Sequence, residues 1–273
     1  MRCAVRLGLR LVGGLAEETT KQTVLMARGA GYADMASAWI RSGAPVSILE
    51  RFADADAFRS MGLDRRAALW AVKGLGGGTR HGGARRATSA DTPLLTWQAT
   101  GDLFDEPPVA LPETTPGEHV VYDYAAISLS LKAHPIAFFR ADLARWRVIT
   151  SATHWDDKLA GRRVSVAGLV LVRQRPGTAK GVIFITLEDE TGIVNIVVWP
   201  KVFEKNRRTV MTAQFLLVRG RIQREGLVIH VVAEELVDLS DELERLADGT
   251  ADLPKTDREI REGSWKPKSR DFH

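Results

Sequence analysis

Arg219, Arg221 and Arg224 recur every two or three residues along an apolar, β-branched run of this 273-residue chain. If that run is a strand, Arg219 and Arg221 must point to one face. Arg173, Arg175 and Lys180 surround a Pro-Gly turn, with Phe184 and Trp199 in the two runs that follow. Rings that stack bases, beside cations that meet phosphates, are what a single nucleic-acid strand requires. Phe184 and Trp199 suit a barrel core equally well. Gly13-Gly14 stands before a helical stretch, where backbone N–H groups at a helix start can take a DNA phosphate; the same residues also make an ordinary capped turn. Asp54 and Asp56 have the spacing of a Mg²⁺ pair for nucleotidyl transfer. They lie between Phe52 and Phe58 with no third carboxylate and no basic cradle, so they read as a solvated helix end.

Other chemistries are excluded by residue type. Cys3 is the single cysteine, which rules out a disulfide framework and a thiolate zinc site. The 6 histidines show no ligand spacing, so no metal is expected. Asp, Glu and Ser fall in no triad order, and Asn195 and His230 read as structural. No apolar run approaches the roughly 18–20 residues of a membrane span, and no signal peptide is legible. The expectation is a soluble, cytoplasmic chain without membrane contact.

The elements that must position these residues follow from charge and punctuation. Residues 1–75 hold 11 basic and 7 acidic residues, 161–239 hold 12 and 8, and 76–118 hold 3 and 6. Two basic blocks are thus separated by an acidic stretch rich in Gly and Pro, read as a flexible linker over 76–118. Residues 1–75 read as a helical, helix-hairpin-helix-like domain, with helices over 17–30, 34–41, 46–55 and 64–74 and Asp64 as an N-cap. Residues 119–160 read as a helical connector, broken at His134-Pro135. From Arg162 the apolar period becomes two. Five strands, with a helix over 202–212 between the third and fourth, predict an OB-fold barrel at 161–239, followed by a tail at 240–273. The fold class is α+β.

Longer stretches resemble a known family. Leu7-Gly8-Leu9-Arg10-Leu11-Val12-Gly13-Gly14-Leu15-Ala16-Glu17-Glu18, Leu49–Phe58 and Gly62–Trp70 are similar to the helix-hairpin-helix region of bacterial family C DNA polymerases. Tyr124–Pro135 and the ending Pro267–His273 resemble the error-prone, damage-inducible branch. The resemblance implies a DNA-binding C-terminal portion of such a polymerase, serving repair and translesion synthesis. Duplex or primer-template would meet the helical part, and single-stranded DNA the barrel. The family's PHP domain and palm, whose three aspartates hold Mg²⁺, do not precede Met1, and Asp54 and Asp56 match a structural landmark. The chain is therefore expected to carry no catalytic residue or cofactor and not to polymerise alone. The alternatives are a split polymerase completed by a separate catalytic chain, or a module that docks on replication or mutagenesis proteins and has little DNA affinity. One partner is expected from a short motif. Gln98, Asp102, Leu103 and Phe104 resemble the peptides by which bacterial polymerases dock on the sliding clamp, although Gln98 stands one residue further from the Leu-Phe pair than usual.

Overall fold

The computed structural model describes residues 7–27, 31–75, 111–226 and 228–251. The chain divides into two compact units, residues 1–114 with 122–130, and residues 115–121 with 131–273.

In the first unit a 3-10 turn, Leu9–Leu11, leads to helices α1 (Glu17–Ala27), α2 (Met35–Ser42), α3 (Val46–Asp54) and α4 (Arg65–Gly74). Local chemistry sets the helix ends. The Asp34 carboxylate accepts from Ser37 N–H at 2.6 Å while Ser37 Oγ accepts from Asp34 N–H at 3.1 Å, a reciprocal cap that starts α2. Gly43 ends α2 in the left-handed region at φ 59°. Asp64 caps α4 by accepting from Ala67 N–H at 2.8 Å, as its position in the sequence predicts. The core gathers Met35, Trp39, Leu49, Phe52, Phe58 and Val72, with Phe52 and Phe58 edge to face at 6.4 Å.

Helix α5 (Pro116–Ile127) begins inside the stretch read as linker and stops before His134-Pro135. Proline is tolerated in a first helical turn, where its missing N–H has no partner to lose. Residues Tyr122–Ser130 belong to the first unit. There Asp123 pairs with Arg65, whose residue is 1% exposed, and also accepts from Ser130 Oγ at 2.7 Å. The Arg65 guanidinium lies 5.2 Å from the Tyr122 ring centroid.

In the second unit the expected helical connector contains a 3-10 turn, Pro135–Phe139, then α6 (Arg140–Arg145) and a short strand, β1 (Val148–Ile149). That strand pairs parallel with β2 (Arg163–Gln174). Strands β3 (Ile183–Asp189), β4 (Gly192–Val198), β5 (Phe215–Glu225) and β6 (Val228–Asp238) follow. Helices α7 (Pro200–Lys205) and α8 (Arg207–Thr212) lie between β4 and β5. The order β2-β3-β4-β6-β5 closes through β5 onto β2, with β4 and β6 parallel, which is the five-stranded OB-fold barrel. Alternation places Ile183, Ile185, Leu187, Val194, Ile196 and Val198 in the core. Two glycines let backbones meet: a Cβ at Gly220 would stand 2.2 Å from the Val232 carbonyl oxygen, and one at Gly168 would stand 2.5 Å from that of Glu188.

The β3–β4 turn is tied by a buried carboxylate. Asp189 accepts from Thr191 N–H at 2.8 Å, from Thr191 Oγ1 at 2.7 Å and from Ser151 N–H at 2.7 Å, while Arg140 reaches it at 3.2 Å and Glu190 at 2.5 Å. His154, 1% exposed, joins this knot through Nδ1 and the Ser151 carbonyl. Burial holds the His154 imidazole below its ordinary pKa, opposed by that carbonyl and by Asp189. The folded form is therefore neutral, and below about pH 6.5 the unfolded chain takes up the proton first. Stability of the second unit is full above that pH. It should fall by up to about 1.4 kcal/mol per pH unit on acidification, until the depressed folded pKa is passed. Urea midpoints of the wild type should drop between about pH 7 and pH 5, and in His154→Asn that part of the drop should vanish. An equal drop in both proteins would assign the effect to other groups.

Candidate nucleic-acid interface

Strand parity builds the site. On β3 the side chains opposite the core belong to Phe184, Thr186 and Glu188, and β4 sets Val197, Asn195 and Ile193 beside them. The rung continues from Val197 to Val232 on β6 and Arg221 on β5, and the next rung runs Thr186, Asn195, His230, Gln223. Phe184 is 39% exposed and Trp199, just past the end of β4, is 53% exposed. Both rings therefore lie outside the core. Phe184 pairs with Val197, so Trp199 is its diagonal neighbour, and diagonal positions of an antiparallel pair lie about 7–8 Å apart. Two exposed rings at that spacing are suited to two successive bases. Thr186 Oγ1 donates to Asn195 Oδ1 at 3.2 Å beside them, leaving the Asn195 amide donors for a ligand. Asn195 and His230, read from the sequence as structural, thus stand on this outer face. No local signal marks them, because their place depends on which strand pairs with which.

Cations border the rings at one end. Lys180 takes the left-handed conformation at φ 47° in the β2–β3 loop, followed by Gly181 at φ 86°. A Cβ on Gly181 would meet Pro200 Cγ at 3.5 Å and Arg175 Nη2 at 3.7 Å, so the Arg175 guanidinium and the residue after Trp199 flank the same glycine. Arg175 and Pro200 thus meet at Gly181, which follows Lys180 and precedes the end of β3 that carries Phe184.

The other arginines are engaged within the fold. Arg173 follows a register shift between Val170 and Val172 that pairs it with the inward-facing Ile185. Its guanidinium donates to the carbonyls of Val210 and Ala213, at 2.7 Å in the first case, and holds the end of α8. Burial lowers its pKa, with Asp238 opposing. Arg219 and Arg221 both point outward, as alternation requires, but Arg219 pairs with Glu235 at 2.9 Å and Arg221 donates to the Gly161 carbonyl at 2.8 Å. Arg224 donates to the Gly226 carbonyl at 3.2 Å within its own turn. The β5 stripe therefore lies on the outer surface of the barrel, each arginine engaging a partner of the barrel itself.

In the helical unit, the Gly13 N–H donates to the Ala126 carbonyl at 2.9 Å and the Gly13 carbonyl accepts from Arg51 at 3.0 Å. The Gly13 N–H is thus used by the fold and cannot also hold a phosphate. Gly14, at φ 70°, has the Arg51 guanidinium against it, 2.6 Å from where a Cβ would stand, and α1 opens on Glu17 and Glu18, which repel an anion. Asp56 holds Arg59 at 2.9 Å. Among the described residues no group of three or more His, Cys, Asp or Glu could hold a metal ion, and no helix is long and apolar enough to cross a membrane. Gln98, Asp102, Leu103 and Phe104, the clamp motif, and the ending Pro267–His273 lie outside the described residues.

Comparison with known proteins gives two matches to family models. Residues 164–239 match the OB-fold nucleic acid binding domain, and residues 2–68 match the helix-hairpin-helix motif. Error-prone DNA polymerase 1 of Rhizobium meliloti is 52% identical over 239 residues, covering 88% of this chain and 20% of the relative. The chain matches one stretch of the error-prone DNA polymerases. That of Caulobacter vibrioides is 49% identical over 271 residues, 99% of this chain and 24% of the relative. The chain spans about a fifth to a quarter of the length of these relatives.

Proposed function

We propose that this segment is a noncatalytic DNA-binding portion of an error-prone polymerase, whose barrel holds single-stranded DNA without strong sequence preference. The observation that carries the reading is the pair of exposed rings, Phe184 and Trp199, at diagonal positions beside Arg175 and Lys180. The Trp199 ring is more than half exposed, and every base offers it a π-face. The outer-face donors and cations supply backbone contacts that carry no sequence code. Duplex contact by the helical unit rests on the helix-hairpin-helix match rather than on Gly13, whose N–H is occupied. Roles in repair and damage tolerance, and docking on a sliding clamp, belong to the same proposal.

The test is a titration of the full chain with a labelled oligodeoxythymidylate and with duplex of equal length, across a range of salt. Single strand should bind, and log K should fall linearly with log salt at about 0.7 per phosphate contacted. A chain that binds neither, or whose affinity ignores salt, would be a protein-docking module.

A further inference from the structure

The α7–α8 insert carries Lys201, Lys205, Arg207 and Arg208 against a single acid, Glu204. Within it the Phe203 ring, 7% exposed and part of the barrel core, is approached by two guanidiniums. Arg175 stands 5.6 Å from its centroid and Arg207 stands 5.9 Å from it. Neither has a carboxylate partner among the described residues, in contrast to Arg163 with Glu234 and Arg219 with Glu235. A ring can hold a cation by its quadrupole, and two guanidiniums gathered at one ring concentrate positive charge that a phosphate can neutralise. Arg175 also borders Gly181 and Pro200, which follows Trp199 directly, so the pair adjoins the stacking rings.

We propose that Arg175 and Arg207, held on the Phe203 ring, form a second phosphate site that takes the backbone of a single DNA strand as it leaves the rings across the α7–α8 insert. This deepens the proposed function and rests on it. The footprint then exceeds the strand face, and the extra length is bound by charge rather than by stacking.

The experiment compares oligodeoxythymidylates of about 4 and about 16 nucleotides, the ends of the range one OB-fold covers, on the full chain and on Arg175→Gln, Arg207→Gln. The short strand, which reaches Arg175 beside the rings but not Arg207, should lose about 0.7 of its salt slope in the variant. For the long strand the variant's salt slope should be shallower by about 1.4, two phosphates at about 0.7 each. Arg175→Lys, Arg207→Lys keeps both charges and should recover most of the slope, which separates charge loss from damage to the fold. A long strand with wild-type affinity and slope on the Gln variant would overturn the site. So would equal losses for both lengths, or a Lys variant as impaired as the Gln variant. Failure of either strand to bind the wild type would instead overturn the parent reading.

Discussion

Asp123→Ala should destabilise the first unit by about 3–5 kcal/mol, because it leaves the Arg65 cation buried without its counter-charge. Arg65 is 1% exposed, its guanidinium lies against the Tyr122 ring, and Ser130 loses an acceptor in the same step. The penalty comes from desolvation of the stranded charge more than from the pair's own worth. Arg65→Met with Asp123→Leu, which removes both charges and keeps apolar volume, should therefore recover most of the loss. Urea unfolding followed by circular dichroism reads all three proteins, with the barrel's transition as an internal reference. If the single and double variants lose the same stability, the pair is not acting as a compensated buried charge.

Phe184→Ala with Trp199→Ala should reduce single-strand affinity by between about one and four orders of magnitude, at roughly 1–3 kcal/mol per stacked base. Both rings are exposed, so the barrel should unfold at nearly its wild-type denaturant concentration. The salt slope should also survive, since no cation has been removed. Anisotropy titration at two salt concentrations measures both quantities. Wild-type affinity in the double variant would mean that the strand passes elsewhere and that the rings serve a protein partner.

Local order was legible in the sequence wherever it depends on local chemistry. The caps at Asp34 and Asp64 follow from residue type, and the barrel strands follow from period-two runs broken at Glu190–Gly192 and Glu225-Gly226. Strand β1 was not legible, since two residues cannot display a period and its partner is a parallel strand. The candidate site was half legible. Phe184 and Trp199 could be named, but their direction, core or solvent, depends on register. The partners of the arginines were hidden for a related reason. Arg219 meets Glu235 across β5 and β6, Arg173 is turned by a register shift, and Gly13 finds its acceptor at Ala126. Composition along one run carries no trace of such distant partners. Lys201 and Arg207 were passed over because their run reads as a mere helical connection between strands.

Gly168 and Gly220 stand where one strand's backbone touches the next, with no room for a methyl group. Both codons are therefore frozen by geometry, whatever the barrel holds. Trp199 and Arg207 carry no such obligation, because the barrel closes without them. In a lineage that retained the fold but lost the need for DNA, the glycines would persist while the tryptophan and arginine drifted. Comparing the fates of these two pairs across descendants separates selection for folding from selection for use.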